Sequence, residues 1–160
     1  MENFGGKADQ PHLRFNPLKD EWVVVSPHRT KRPWKGQTEK TQEETVPRRD
    51  LSNPLVPSAV RASGATNPEY SGVFVFNNDF PALLEEGVSC VGGGGDDDDG
   101  NNGHDLLRSA KAQGTCRVMC FHPWSDMILP LMETKDVVKV IEEWINQFEE
   151  LSKKYCWVQV

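Results

Sequence analysis

Apolar residues along the chain gather in short runs separated by polar connections, and one long periodic stretch follows them. Trp22-Val23-Val24-Val25 is β-branched and aromatic, which fits a pleated, half-buried surface and predicts a strand. Asn16-Pro17-Leu18-Lys19-Asp20 before it has turn composition, because proline presets φ and Asn and Asp bond their own backbone. Ser26-Pro27 ends the strand, since proline donates nothing to a ladder. Residues 70–76 recover strand character, and Val73-Phe74-Val75-Phe76 is apolar on both faces, as a covered strand is. Asn77-Asn78-Asp79-Phe80-Pro81 then stops it. Residues 115–121 alternate, with Cys116, Val118 and Cys120 on one face. His122-Pro123-Trp124-Ser125-Asp126 turns the chain, and residues 127–132 form a second short apolar run.

From residue 134 the period changes. Val137, Ile141, Trp144 or Ile145, Phe148, Leu151 and Tyr155 recur at three- and four-residue steps. Thr134 is expected to act as N-cap, Asp136 suits the positive first turn, and Lys153 and Lys154 suit the last. The spacing predicts one helix over 135–154. Trp157-Val158-Gln159-Val160 reads as the opening of another strand, and its unfinished state predicts a product truncated at the C-terminus.

The connections carry little periodicity. Residues 1–10 read as a disordered leader, and residues 36–49 as an exposed polar link. Prolines at 54, 57 and 68 with Gly64 predict a long irregular path over 51–69. Residues 87–105, GVSCVGGGGDDDDGNNGHD, predict a flexible loop, because glycine entropy and self-repelling aspartates oppose packing. Calcium loops place ligands at alternate positions, whereas Asp96 to Asp99 are contiguous, so a variable insertion is the better reading.

At 160 residues the length predicts a single domain, spanning 11–160 after the leader. A chain of this size buries roughly 70% of its unfolded surface on folding. Apolar content is 37% and mean hydropathy −0.59, both toward the polar side of globular. The aspartate run supplies four of the six net negative charges, so the rest is near balance, which argues against general polyanion binding. Cys90, Cys116, Cys120 and Cys156 form no CxxC pair. Cys116 and Cys120 on a strand lie roughly 13 Å apart, too far for a disulfide. The N-terminus lacks an apolar h-region, and no transmembrane run appears, so a reducing compartment, the cytosol, is expected.

Against that background one cluster stands out: His28, Arg29, Lys31, Arg32 and Lys35, with Pro33 and Trp34 among them. Two arginines three residues apart at the mouth of a strand suit bidentate gripping of phosphate oxygens. A solvated basic loop is the plainer reading of the same residues. A single-stranded nucleic-acid module is a third, opposed by the acidic balance and the shortness of the cluster.

RFNPLKDEWVVVSPHRTKRPW, NPEYSGVFVFNNDFPAL, GTCRVMCFHPWSDMILPLM and KKYCWVQV, in that order, resemble the N-terminal part of the galactose-1-phosphate uridylyltransferase family, in animal-type wording. The resemblance implies an α+β fold: an antiparallel half-barrel sheet of the histidine-triad type with a packed helix, usually in a dimer. It implies UDP-glucose:hexose-1-phosphate uridylyl transfer in galactose metabolism. There UMP passes to an enzyme histidine, glucose 1-phosphate leaves, and galactose 1-phosphate takes the UMP, a two-step covalent route.

By position, the resemblance assigns Arg29 and Arg32 to the phosphates, and Asn78 and Asp79 to the uridine. Leu55, Ala62, Phe80 and Val118 would wall the uracil, although Val118 reads equally well as core. Without the resemblance, Asn78-Asp79 reads as a turn. The family's nucleophile lies in an HPH motif downstream of WVQV. His12, His28, His104 and His122 stand in no HxH pair, so this chain alone is expected to be inactive. His28 belongs to the arginine turn, and His122 is expected to cap or pack a turn.

Zinc ligands of the family are cysteines where Asn53 and Val56 stand here, plus a histidine in place of Ser125 in bacterial members. No metal or other cofactor is therefore expected in this chain, while full-length relatives can bind zinc elsewhere. The expected partners are UDP-glucose or UDP-galactose and hexose 1-phosphates, with neither nucleic acid nor membrane, and a homodimer for the full-length form. The competing reading is a non-catalytic truncated isoform or interaction fragment, for which an unpaired terminal strand offers an open edge.

Overall fold

The computed structural model describes residues 10–32, 46–86 and 108–160. Residues 1–9 of the leader, the glycine- and aspartate-rich loop, Pro33, Trp34, Lys35, Cys90 and His104 lie outside the described residues, as does most of the 36–49 link. Among those described, one α-helix accompanies strands that pair only in antiparallel fashion, an α+β arrangement. The chain divides into two compact units, Met1–Lys35 with Phe80–Cys116, and Gly36–Asp79 with Arg117–Val160.

The first unit holds a three-stranded sheet in the order β2-β1-β4, from β1 (His12–Asn16), β2 (Glu21–Val25) and β4 (Ser109–Lys111). The valine run forms β2 as the composition predicts, and the Asn16–Asp20 segment turns the hairpin. Asn16 Oδ1 accepts from Leu18 N at 3.1 Å, and Asp20 takes a positive φ of 54°. Such a loop tolerates Asn and Asp because they bond locally and visit the left-handed region. Phe15 sits opposite Trp22 across the ladder, with ring centroids 5.4 Å apart, and the Arg108 guanidinium covers Phe15 at 3.7 Å. β1 and β4 were not anticipated. β1 carries His12 and Arg14 at alternate positions, and Arg14 Nε donates to His12 Nε2 at 3.0 Å while the His12 ring bonds Gln10 O. That internal pairing satisfies polar groups on the middle strand.

In the second unit β3 (Phe74–Asn77) pairs with β5 (Arg117–Cys120) in the register Phe74↔Cys120, Phe76↔Val118. Opposed residues share a face, so Phe74, Phe76, Val118 and Cys120 line one side and Val75, Asn77, Arg117 and Met119 the other. Helix α1 (Thr134–Ser152) is met by the second set and its neighbour. Arg117 donates to Gln147 and to both carboxylate oxygens of Glu150, at 2.9 and 2.6 Å, and Phe121 meets the Trp144 ring edge-on at 5.7 Å.

Three expectations about this unit need correction. The N-cap is Glu133, with no side-chain cap bond, and Thr134 is already helical. The covered ridge of α1 centres on fully buried Val140, flanked by Val137, Trp144 and Leu151. Ile141, Ile145 and Phe148 are instead about half exposed, because the partner on the sheet side is a single two-stranded ladder too narrow to cover both stripes. Residues 157–160 form no strand, and Trp157 is 79% exposed. Strand residues need a ladder partner, and none is present among the described residues. Residues 127–132 contain a short 3-10 turn at Leu129–Leu131.

Two measurements check this packing. Val140→Ala should cost about 2 kcal/mol in urea denaturation, whereas Ile145→Ala should stay within about 0.5 kcal/mol. Equal losses would place the helix in the wrong rotation. The hydrogen bonds from Arg117 hold the Glu150 carboxyl below its ordinary range. A depressed native value stabilises above the unfolded value and is lost as pH falls through the native one. Glu150→Gln should therefore lower the melting temperature at neutral pH, by an amount that shrinks as the solution is acidified.

Candidate functional site

The arginine turn is built on the end of β2. After Ser26, Pro27–Lys31 winds as a 3-10 turn, and Arg32 N closes it onto Arg29 O at 3.1 Å. Arg29 lies within the turn and Arg32 is its extended C-cap, so the two arginines stand three residues apart across its end. Both are exposed, and neither guanidinium makes an ion pair among the described residues. The turn is anchored within its own unit: Ser26 Oγ donates to Ala82 O at 2.6 Å, and His28 Nε2 donates to Pro81 O at 2.7 Å. The same segment is held from another direction. Gly114 N bonds Leu84 O, and a side chain at 114 would come within 2.8 Å of Leu83 Cδ1, so glycine permits that approach. Phe80 begins this segment and is partly buried.

The other named residues lie in the second unit. Asn78 and Asp79 follow directly on β3, both partly buried. Asp79 Oδ1 lies 3.4 Å from Arg61 Nη1, and the two side chains are only 14% and 13% exposed. The Arg61 guanidinium also lies over the Phe76 ring at 3.9 Å from its centroid. Phe76 is the ladder partner of Val118, so the arginine, the ring and Val118 share one face of the sheet. Ala62, next to Arg61, is exposed. Leu55 is 37% exposed, and its carbonyl accepts from the Tyr70 hydroxyl at 2.6 Å.

The irregular path over 51–69 is thus less free than its composition predicts. Val60 bridges Thr66, Arg61 N bonds Ala65 O at 2.8 Å, and Gly64 supplies a φ of +85° at the tip. Asn67, 3% exposed, donates from Nδ2 to Pro54 O and Val56 O, both at 3.0 Å. Side-chain amides that mimic backbone donors close such loops where no ladder runs.

Arg61 and Tyr70 escape a reading of the sequence, because their partners are distant along the chain. The Tyr70 hydroxyl is pushed up from its ordinary value by burial, with the nearby Cys120 thiol adding to it. Burial likewise raises the Cys120 thiol, and the Tyr70 hydrogen bond and Arg61 charge oppose this only in part.

The positions that the resemblance associates with zinc hold other chemistry. Asn53 Nδ2 donates to Ser125 Oγ at 3.3 Å, and Val56 is 2% exposed. An amide, a hydroxyl and a buried alkyl group do not supply the thiolate and imidazole donors that zinc takes. No group of three or more His, Cys, Asp or Glu side chains among the described residues could hold a metal. The bond is one of several between the 46–57 path and the turn after β5. Ser125 N bonds Arg48 O at 2.9 Å, and Arg48 covers Trp124 at 3.9 Å while facing Asp126 at 3.5 Å. His122 Nδ1 accepts from Trp124 N at 3.1 Å and so caps that turn. A cavity of about 440 Å³ beside it is bordered by Arg49, Glu69, Tyr70 and Trp124. Its cations already face carboxylates, Arg49 with Glu69 at 3.7 Å, so it offers little free positive charge.

The description "Galactose-1-phosphate uridyl transferase, N-terminal domain" belongs to a family model that matches residues 4–160. The chain is 50% identical over 153 residues to "Probable galactose-1-phosphate uridylyltransferase" of Drosophila melanogaster, covering 96% of this chain and 41% of that protein. It is 50% identical over 153 residues to "Galactose-1-phosphate uridylyltransferase" of Rattus norvegicus, covering 96% and 38%. The chain therefore spans well under half the length of these relatives. A solved chain described as "Structure of uridylyltransferase" superposes with a TM-score of 0.47 at 20% identity, over 87% of this chain and 36% of that one.

The contrast between buried Cys120 and exposed Cys156 is testable. Maleimide labelling mapped by mass spectrometry should modify Cys156 at least about tenfold faster, since burial withholds the thiolate. Equal rates would contradict the packing around Tyr70 and Phe74.

Proposed function

The chain belongs to the galactose-1-phosphate uridyl transferase family, and from that premise we propose that it carries part of a UDP-sugar site of UDP-glucose:hexose-1-phosphate uridylyl transfer. Its substrates are UDP-glucose or UDP-galactose and hexose 1-phosphates, in galactose metabolism. The fold class is the histidine-triad-type half-barrel, the full-length protein is a homodimer, and the compartment is the cytosol. Neither nucleic acid nor a membrane is a partner. No helix among the described residues is long and apolar enough to cross a bilayer.

One observation carries the reading: two exposed arginines three residues apart, one in an anchored 3-10 turn and the other at its C-cap. Their role is to orient phosphoryl groups and offset charge on the oxygens. A turn anchored at Ser26 and His28 holds them without an induced-fit cost. Asn78 and Asp79 hold the uridine, since an amide and a carboxylate meet both the donors and the acceptors of base and ribose. Leu55, Ala62, Phe80 and Val118 are the apolar wall.

The transfer runs in two displacements. A histidine nitrogen attacks the α-phosphorus, the bond to the sugar phosphate breaks, and glucose 1-phosphate leaves. The galactose 1-phosphate oxygen then attacks the same phosphorus and restores the histidine. We assign the attack to none of this chain's described histidines, since none stands in an HxH pair and each holds a structural bond. His12 and His28 each donate a ring N–H to a backbone carbonyl, and the remaining His12 nitrogen accepts from Arg14. His122 accepts from a backbone N–H. The 160-residue chain alone binds and does not turn over, and it uses no metal or other cofactor.

A second reading is favoured by the exposed stripe Val138, Ile141, Ile145 and Phe148 at three- and four-residue steps on α1: a non-catalytic interaction fragment. Size exclusion separates the two, because a monomer that binds UDP-glucose supports the first.

Calorimetry on the chain checks the phosphate grip. Arg29→Ala with Arg32→Ala should weaken UDP-glucose about a hundredfold, as two charge-assisted contacts are lost. Unchanged affinity would refute the assignment, and UMP transfer by the purified chain would refute the statement that the nucleophile is absent from it.

A further inference from the structure

Asp79 is a carboxylate that is largely buried, and its one ionic partner among the described residues is the Arg61 guanidinium. We infer that Arg61 is a positioning residue for the uridine site: it fixes the Asp79 carboxylate and ties the Ala62 turn to the Asn78-Asp79 strand end. The inference rests on the proposal above that Asp79 and Ala62 meet the uridine.

Three features of Arg61 lead to this role. First, its backbone is immobilised. The Val60–Thr66 bridge and the bonds Arg61 N to Ala65 O and Gly64 N to Arg61 O close the turn that carries it. Second, its guanidinium lies over the Phe76 ring at 3.9 Å from the centroid, and Phe76 is itself held by the Val118 ladder pair and by stacking on Phe74 at 5.5 Å. A planar cation on a ring face has few ways to rotate. Third, the contact to Asp79 is ionic at 3.4 Å rather than a hydrogen bond, and Arg61 Nε and Nη1 have no hydrogen-bond partner. The charge of Asp79 is therefore offset and its place set, while its oxygen lone pairs stay available to a donor such as a ribose hydroxyl.

A lysine is a poor equivalent here, because it lacks the planar face that the ring fixes. The arrangement links two segments that are far apart in sequence, and one substitution at Arg61 releases both. Such a residue acts through Asp79 and touches no substrate.

The test uses the whole chain and three variants, Arg61→Met, Arg61→Lys and Asp79→Asn, with UDP and inorganic pyrophosphate as calorimetric probes. Arg61→Met should weaken UDP about tenfold and leave pyrophosphate within about twofold, because only the uridine part depends on Asp79. In the Asp79→Asn background the same substitution should change UDP affinity by less than about twofold, the non-additivity expected of one shared interaction. Arg61→Lys should recover part of the UDP affinity, which keeps the question answerable if the methionine variant fails to fold. Equal losses for UDP and pyrophosphate, additive effects, or UDP affinity unmoved by Arg61→Met or Arg61→Lys while Asp79→Asn lowers it, would overturn the positioning role and leave the Asp79 assignment standing. UDP binding indifferent to Asp79→Asn, or absent from the unsubstituted chain, would overturn the uridine reading and this inference with it.

Discussion

A two-residue alternation across one short ladder organises the unit that contains α1. Because Phe76 is opposed by Val118 and Phe74 by Cys120, the two faces of β3–β5 receive different partners. The face with the phenylalanines takes Arg61 and Tyr70 from the preceding path, and the opposite face takes α1 through Arg117. A slip of one residue in this register would exchange the faces, turning the aromatic rings toward the helix and the Arg117 charge toward the loop. The Asp79 contact depends on the same parity, since Arg61 reaches it from its seat on Phe76.

Guanidinium groups serve two purposes in this chain, and their surroundings separate them. Arg48, Arg61 and Arg108 each lie within 3.9 Å of an aromatic centroid, where the ring face attracts the cation. Arg29 and Arg32 stand exposed at an anchored turn, and no ring among the described residues lies beneath them. Cations that are already compensated hold loops together, and cations left in water remain available to an anion. This distinction, more than the number of basic residues, is why the proposed phosphate site is the 3-10 turn and not the Arg48–Arg49 cavity.

The long path before β3 shows how order is achieved without regular structure. Asn53, Asn67 and Tyr70 each direct a polar side-chain group to a carbonyl or hydroxyl on another part of the path or on the turn after β5. Each bond satisfies a backbone or hydroxyl group that has no ladder to join. Where the resemblance would place metal ligands, the Asn53–Ser125 hydrogen bond joins the two segments by a weaker contact, and Val56 is buried.

Local chemistry alone is enough to locate the valine strand, the hairpin turn before it, the two strands β3 and β5, and the helix. In each, a short window holds both the propensity and the stop signal. It also identified the arginine spacing, because a turn of three residues needs nothing beyond its own proline and neighbours. It did not reveal β1 and β4, whose polar residues are settled by pairing, or the rotation of α1, where Val140 rather than Ile141 is covered. Arg61 is the clearest case. Nothing around it in the chain marks it, since Phe76 and Asp79 reach it only after the strand has formed and the loop has closed. Propensity acts over a few residues, whereas burial and charge compensation depend on what the fold brings near, and only the tertiary structure decides that.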